Sequence, residues 1–408
     1  MKEDAKVVIV GGGIVGCSLL YWLTRMGWGD CLLLERLELT SGSTWHAAGN
    51  VTHFGHRPDL TRLYVDSIKS YLDAEAESGQ VVGFHKTGSL RLATTPAELA
   101  AYRRFEADYR ALGVPYRVVD PAAAGRLHPL LNIEGILGAA HTPDDGHVDP
   151  SGATYALAKA AKLRGAGIAT QTAVTAIEAT AGGWRVETAK GSVRAEHVVL
   201  AASFWTRELS QPLGLSLPLY PLQHHEVVTG DHPELVALKR ELPTVRDPYG
   251  PSNTRQERNG FLCGVYESDP AFWALDGIPP EFGQELLPSE MERLEPNLLR
   301  VMERIPAFGE AGIKAVNNGP ICYTPDASPL VGPLRSHPGL WVASGFAVGI
   351  GTGGGAAKLL AGWMVEGKPA HDASPVDPAR FPADLARAEC LRQIRETYAA
   401  GYALPPMV

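Results

Sequence analysis

The feature that most restricts this chain is a glycine pattern close to its start. The run Val8-Ile9-Val10-Gly11-Gly12-Gly13-Ile14-Val15-Gly16 contains G-x-G-x-x-G at Gly11, Gly13 and Gly16. It follows a short apolar strand pattern at 6–10 and opens a helical pattern at 14–26. Each glycine has a physical use. Gly11 permits the tight turn, Gly13 lets the backbone approach a pyrophosphate, and Gly16 lets helix and strand pack closely. The N–H groups of Gly13, Ile14 and Val15 then face the phosphates from a helix N-terminus. A second apolar strand, at 31–35, ends on Glu35, which is placed to accept hydrogen bonds from a ribose diol. Arg36 beside it covers the adenine side. A doubly wound dinucleotide site follows from these elements taken together.

The rest of the chain favours FAD over a nicotinamide. A nicotinamide enzyme usually completes one contiguous nucleotide domain, whereas here the last strand-and-helix pair, at 340–343 and 354–365, comes near the other end. That helix begins within residues 344–351, a second glycine-rich start holding Gly345, Phe346, Val348, Gly349 and Ile350. Its dipole would face a flavin ring where negative charge collects on reduction. Between the two ends lie strand patterns of another character, at 83–93, 184–188 with 192–195, and 223–229. A continuous apolar strand is expected at 196–202, and polar helices at 96–112 and 288–305. The expected fold class is α/β (α+β): a Rossmann-like FAD-binding domain with an inserted mixed β-sheet substrate domain. Residues 1–80, 145–220 and 315–380 are assigned to the first, 81–144 and 221–314 to the second, and 381–408 to a C-terminal tail.

Composition narrows the partners. A net charge of −8 leaves no basic field for nucleic acid. Five scattered cysteines read as reduced thiols, and no signal-peptide pattern precedes the first strand, so a cytoplasmic protein is expected. The uncharged stretch 340–357 has the length of a membrane span, but its six glycines read better as a strand turning into a helix. The 13 histidines show no metal-ligand spacing, and His224 and His225 are adjacent, so no metal is expected.

After the second strand comes Thr40-Ser41-Gly42-Ser43-Thr44-Trp45-His46-Ala47-Ala48-Gly49. Its small hydroxyl residues, Ser43 and Thr44 among them, suit a pyrophosphate, and the chain should pass close to the ring system. Further on are Gly88-Ser89-Leu90-Arg91-Leu92-Ala93, Asp145-Gly146-His147-Val148-Asp149-Pro150, Leu222-Gln223-His224 and Arg255-Gln256-Glu257-Arg258. With these motifs the sequence resembles, through nearly its whole length, the dimethylglycine dehydrogenases and oxidases and the sarcosine dehydrogenases. These belong to the D-amino-acid-oxidase-like FAD enzymes. The resemblance implies a covalent 8α-histidyl flavin at His46, with Trp45 part of the same motif. It implies cofactor contacts at Thr52 and Val174, and a substrate-pocket role assisting amine oxidation for His224.

Two departures bear on substrate. Where the dimethylglycine enzymes carry a tyrosine pair, this chain has Ser252 and Asn253, and Tyr249 is a nearby replacement candidate. The dehydrogenases also continue into a folate-binding half, whereas this chain stops at Val408. The expected reaction is hydride removal from a secondary or tertiary N-methylated amine to the flavin. The resulting iminium then hydrolyses to formaldehyde. A substrate carboxylate would want an arginine, with Arg91 and Arg255 as candidates. Reoxidation is expected by oxygen or by an electron-transfer protein, and no membrane partner is expected. Two other readings stand beside this one: oxidation of a 2-hydroxy acid, and an electron-transfer flavin subunit of a larger complex.

Overall fold

The computed structural model describes residues 2–55 and 60–401. Its first sheet is centred on Asp4–Val10, which pairs in parallel with Cys31–Leu34 on one side and Gly191–Leu200 on the other. Gly167–Ala169 and Leu340–Ser344 extend the parallel set outward, and Leu330–Pro333 closes one edge in antiparallel. Both faces of this sheet are covered, which is why its central strands are apolar throughout. Val7 and Ile9 pack into a core shared with the helices Ile14–Arg25, Thr61–Ser78, Pro150–Leu163 and Gly349–Glu366. Val8 and Val10 enter a second core with Trp184, Phe204 and Leu219.

The second sheet has eight strands in the order Ile313–Tyr323, Tyr220–Thr229, Gly260–Val265, Ser252–Glu257, Thr244–Asp247, Ser89–Ala93, Gly138–Thr142 and Arg117–Val119. All neighbours are antiparallel except Thr244–Asp247 with Ser89–Ala93, so the sheet is mixed, as expected. The helix Met291–Arg304 buries Leu294, Leu298 and Val301, which share a core with Val227, Phe261 and Val265 of the sheet. A two-stranded ribbon, Asn50–Val51 with Gly146–His147, completes the strands.

Several elements differ in extent from the sequence expectation. The strand pattern at 83–93 is a strand only at Ser89–Ala93, because Gly83 and Gly88 take left-handed φ values of 59° and 78° that break the ladder. The two pieces expected at 192–195 and 196–202 form one strand, Gly191–Leu200. Its first half pairs in antiparallel with Gly183–Thr188 and much of its length in parallel with Asp4–Val10. The helix expected to begin within 344–351 starts at Gly349, ahead of the clearest helical pattern at 354–365: its glycines are weak helix formers, but they let it lie close against Thr61–Ser78. The boundary expected at 315 falls within the strand Ile313–Tyr323. In the segment 381–408, Arg387–Ala400 is a helix that buries Cys390, Ile394 and Tyr398 against Tyr220, Leu222 and Tyr323; residues 402–408 lie outside the described residues. Among the described residues no helix is long and apolar enough to cross a membrane, and all five cysteines are free and buried.

Candidate cofactor and substrate site

The first turn requires its glycines. Gly11 has φ 118°, and a Cβ there would overlap the Ala201 carbonyl; a Cβ on Gly16 would overlap the Gly11 carbonyl oxygen. Gly13 caps the helix Ile14–Arg25 with no side chain to satisfy the first N–H groups, while the Ile14 N–H donates to Thr44 Oγ1 at 3.1 Å. Glu35 is buried, and its carboxylate accepts from the N–H groups of Gly12 at 2.7 Å and Leu37 at 2.8 Å. Burial pushes its carboxyl above the usual range, against the pull of those N–H donors. Arg36 lies 5.0 Å over the Trp205 ring and donates to the Pro280 carbonyl at 2.9 Å.

These groups line one elongated set of walls around a cavity of about 520 Å3. The turn and helix start contribute Gly11, Gly13, Ile14 and Val15, and the loop after the second strand contributes Ser43 and Thr44. Glu35, Arg36 and Val174 form another part of the wall. The turn after Leu340–Ser344 contributes Gly345, Phe346, Gly349 and Ile350, and the helix that follows has no side-chain cap on its N-terminal N–H groups. Gly16 and Trp45 are outside this lining. Gly16 serves the packing of turn and helix, and Trp45 stands edge-on to His46 at 5.5 Å. A volume walled by two uncapped helix starts, a glycine turn and a buried acid suits a dinucleotide carrying a second ring system.

A smaller cavity of about 120 Å3 shares Ser43, Ala47, Ile321, Ala347, Gly349 and Ile350 with the larger one. His46 and His224 both line it, as do Thr52, Arg91, Asn253 and Val348. The His46 imidazole lies so close to Gly319 that a Cβ there would overlap the ring. Burial, with a smaller contribution from His224, pushes the pKa of His46 down to about 4. His224 is likewise pushed down to about 4, mainly by burial and despite Glu267. Its Nδ1 is 2.9 Å from the Tyr398 hydroxyl, which donates to Glu267 at 2.5 Å, and His225 Nδ1 lies 2.9 Å from the same carboxylate. With the phenol proton directed to Glu267, His224 Nδ1 is the donor to Tyr398 and Nε2 carries the lone pair. Arg91 is buried with its guanidinium 4.3 Å over Phe54, and Asn253 accepts from the Asn50 amide at 2.9 Å.

Two substrate candidates from the sequence line neither of these cavities. Tyr249 is 48% exposed, in the turn after Thr244–Asp247, with Arg300 over its ring. Arg255 donates to the Ala48 carbonyl at 2.9 Å and pairs with Glu257 at 2.7 Å, so its guanidinium is spent on holding the loop behind His46. Asn253 reaches the small cavity, while Arg255, two residues further along the same strand, borders a separate surface groove. The sequence reading also missed two residues. Glu226 lines the small cavity, and the period of two from His224 was its signal. Tyr398 reaches His224 from a helix far away in sequence, and nothing local announces it. The fold further joins three dispersed side chains: Glu241 meets His85 Nδ1 at 2.8 Å and His147 Nε2 at 2.5 Å.

Fold and cavity together define a flavin-dependent oxidoreductase. The family model described as FAD dependent oxidoreductase matches residues 6–363, and the chain belongs to that family. It is 45% identical over 386 residues to mitochondrial dimethylglycine dehydrogenase of Mus musculus, covering 93% of this chain and 44% of that protein. It is 32% identical over 413 residues to mitochondrial sarcosine dehydrogenase of the same organism, covering 99% and 44%. The chain thus spans less than half the length of these relatives. Among solved structures, L-proline dehydrogenase from P.horikoshii superposes with a TM-score of 0.80 at 25% identity, covering 93% of this chain and 98% of that one. FAD dependence and the Rossmann-like fold with mixed sheets agree with the sequence expectation.

Proposed function

We propose that the chain oxidises a secondary or tertiary N-methylated amine at the small cavity, with FAD held in the large one and joined through its 8α carbon to His46. The observation that carries this reading is the shared wall between the two cavities, with two buried histidines on the small side. FAD, when bound, supplies a two-electron acceptor. Residues 1–80, 145–220 and 315–380 contribute most of its cradle and most of the small cavity's wall, to which 81–144 and 221–314 add Arg91, His224, Glu226, Arg246, Asn253 and Tyr266.

The chain's own residues do the rest. Gly13 and Val15 offer N–H groups to the phosphates beside Ile14, whose N–H donates to Thr44, and Glu35 accepts from the ribose. The neutral His46 imidazole, its pKa pushed down to about 4, is a nucleophile at neutral pH. His224 stays uncharged beside the substrate and is held in one orientation by Tyr398. It keeps the amine desolvated without repelling a cation. Arg91 offers a buried guanidinium to a substrate carboxylate. Water then hydrolyses the iminium product to formaldehyde and the demethylated amine. Oxygen or an electron-transfer protein accepts the electrons. The mitochondrial dimethylglycine and sarcosine dehydrogenases among the relatives support the substrate class.

Anaerobic bleaching of the yellow protein tests this reading. The panel comprises sarcosine, dimethylglycine, larger N-methyl amino acids and 2-hydroxy acids. An N-methylated amine should bleach the flavin rapidly and release formaldehyde. Acid precipitation should leave colour on the wild type and remove it from His46→Ala. Bleaching by hydroxy acids alone, or only with a partner protein added, would replace the amine reading with one of its two alternatives.

A further inference from the structure

Glu226 is the one acid lining the small cavity among the described residues, and the flavin-binding reading leaves it without a task. It lies on Tyr220–Thr229, two residues after His224 and on the same face, while His225 between them points to Glu267 on the other side. Its cross-strand partners, Gly264 and Asn317, carry no charge. Behind it, the Ala48 N–H donates to its carboxylate, and the charge of Arg255 favours its ionised form. That arginine is already paired with Glu257 at 2.7 Å. Glu257 therefore holds that guanidinium, and Glu226 is the carboxylate facing the cavity. The other charged or titratable groups around the same space are His46, His224, Arg91, Arg246, Tyr64 and Tyr266, with Cys263 on the adjoining strand.

We propose that Glu226 is the counter-ion and proton acceptor of the substrate nitrogen: the cavity takes the amine as its ammonium form, and the Glu226 carboxylate removes the proton before carbon is oxidised. The step is a proton transfer alone. The N–H bond breaks, an O–H bond forms on Glu226, the electron pair stays on nitrogen, and no oxidant takes part. The total charge of the cavity is the same before and after, so nothing must cross the low-dielectric wall at that moment. The other bases present are poorly matched. Both imidazoles are held near 4 by burial and take a proton weakly at neutral pH. Burial raises the Glu226 carboxyl to about 7, with Arg255 and the Ala48 N–H opposing, which places it where a base works best at physiological pH. The assignment rests on the amine-oxidation reading and gives that reading its proton acceptor.

The test is anaerobic stopped-flow bleaching of flavin-loaded wild type and Glu226→Gln with sarcosine and with dimethylglycine, from pH 6 to 10.5. The wild-type rate should rise to a plateau above about pH 7, following the acid group. Glu226→Gln should keep its bound colour, which shows that it folds and holds flavin. It should bleach about 100-fold or more slowly at pH 7. Its rate should then climb about tenfold per pH unit as the free amine becomes available near pH 10. A Glu226→Gln protein with the wild-type rate at pH 7, or one that stays slow without recovery up to pH 10.5, overturns the assignment alone. A wild type that no N-methylated amine bleaches overturns the amine reading and the assignment with it.

Discussion

His224, in the wall of the small cavity, owes its orientation to a residue that lines neither cavity. Tyr398 accepts from His224 Nδ1 at 2.9 Å and donates to Glu267 at 2.5 Å, and burial raises its phenol pKa far above the ordinary value. It therefore stays protonated and fixes the tautomer of the imidazole. Tyr398→Phe should leave flavin content unchanged, because Tyr398 lines neither the cofactor cavity nor the small one. It removes one partner from a buried imidazole and a buried carboxylate together, which costs about 1–3 kcal/mol of stability. The bleaching rate at saturating amine should fall about tenfold, less than the roughly 100-fold or greater loss of a general acid or base itself, because Tyr398 acts only through His224. Stopped-flow rates together with thermal unfolding check this; an unchanged rate in a destabilised protein would leave Tyr398 a merely structural residue. Arg255 illustrates the opposite lesson. Its residue type suits a carboxylate, but a guanidinium that donates to Ala48 and pairs with Glu257 has no donors directed at the substrate.

At the scale of elements, small residues decide how closely Gly349–Glu366 can pack against Thr61–Ser78. A Cβ on Gly355 would overlap the Leu63 backbone, and the Gly355 N–H donates to Ser67 Oγ at 2.9 Å. On the same helix a Cβ at Gly362 would find only Met26 Cε at 4.0 Å. Gly355→Ala should therefore destabilise by about 1–3 kcal/mol through overpacking, despite its better helix propensity. Gly362→Ala should stabilise by up to about 1 kcal/mol. Urea unfolding of the two variants reads both signs, and a stabilised Gly355→Ala would show that the helices can part without loss. This element also shows what a sequence reveals. The glycine turn, the acid ending the second strand and the helix after it are local patterns, set by backbone sterics over a few residues, and they appear where expected. The start of Gly349–Glu366 within 344–351 was legible, but the purpose of its glycines was hidden, because they are unfavourable locally and are favoured only by a neighbour far away in the chain. Tyr398 was hidden for the same reason: its partners are His224 on a strand of the second sheet and Glu267 just beyond another. Glu226, by contrast, was readable from strand alternation once His224 had been placed.

Across the whole molecule, buried polar groups hold the two sheets in register and set how the protein responds to acid. Asp145 accepts from Thr52 Oγ1 at 2.6 Å, the His53 N–H at 2.7 Å and Ser89 Oγ at 2.5 Å, tying the loop near the cofactor to the second sheet. Burial would raise its carboxyl, but His53 and the two hydroxyls outweigh that and hold it below the ordinary value. Its stabilising effect is thus present above the unfolded carboxylate range and is lost only in stronger acid. Histidine acts earlier. His128 closes the helix Pro121–Leu127, lines neither cavity, and has a buried Nδ1 with no hydrogen-bond partner. Burial pushes its pKa down to about 4, and Arg240, which donates to the Leu127 carbonyl at 2.6 Å, disfavours the proton further. Since the folded pKa lies below the unfolded value near 6.5, the unfolded chain takes up the proton first. Stability is then unaffected above pH 6.5 and falls as pH drops from 6.5 to about 4, by about 3 kcal/mol for this one residue. His128→Leu should remove that contribution. The wild type should lose more stability than the variant between pH 7.5 and 4.5, while the two respond alike between pH 7.5 and 9. Urea unfolding at the three pH values measures the difference. Parallel losses in acid would mean that His128 takes up its proton in the folded state, and that acid sensitivity arises instead at His46 and His224, whose pKa values burial lowers in the same direction.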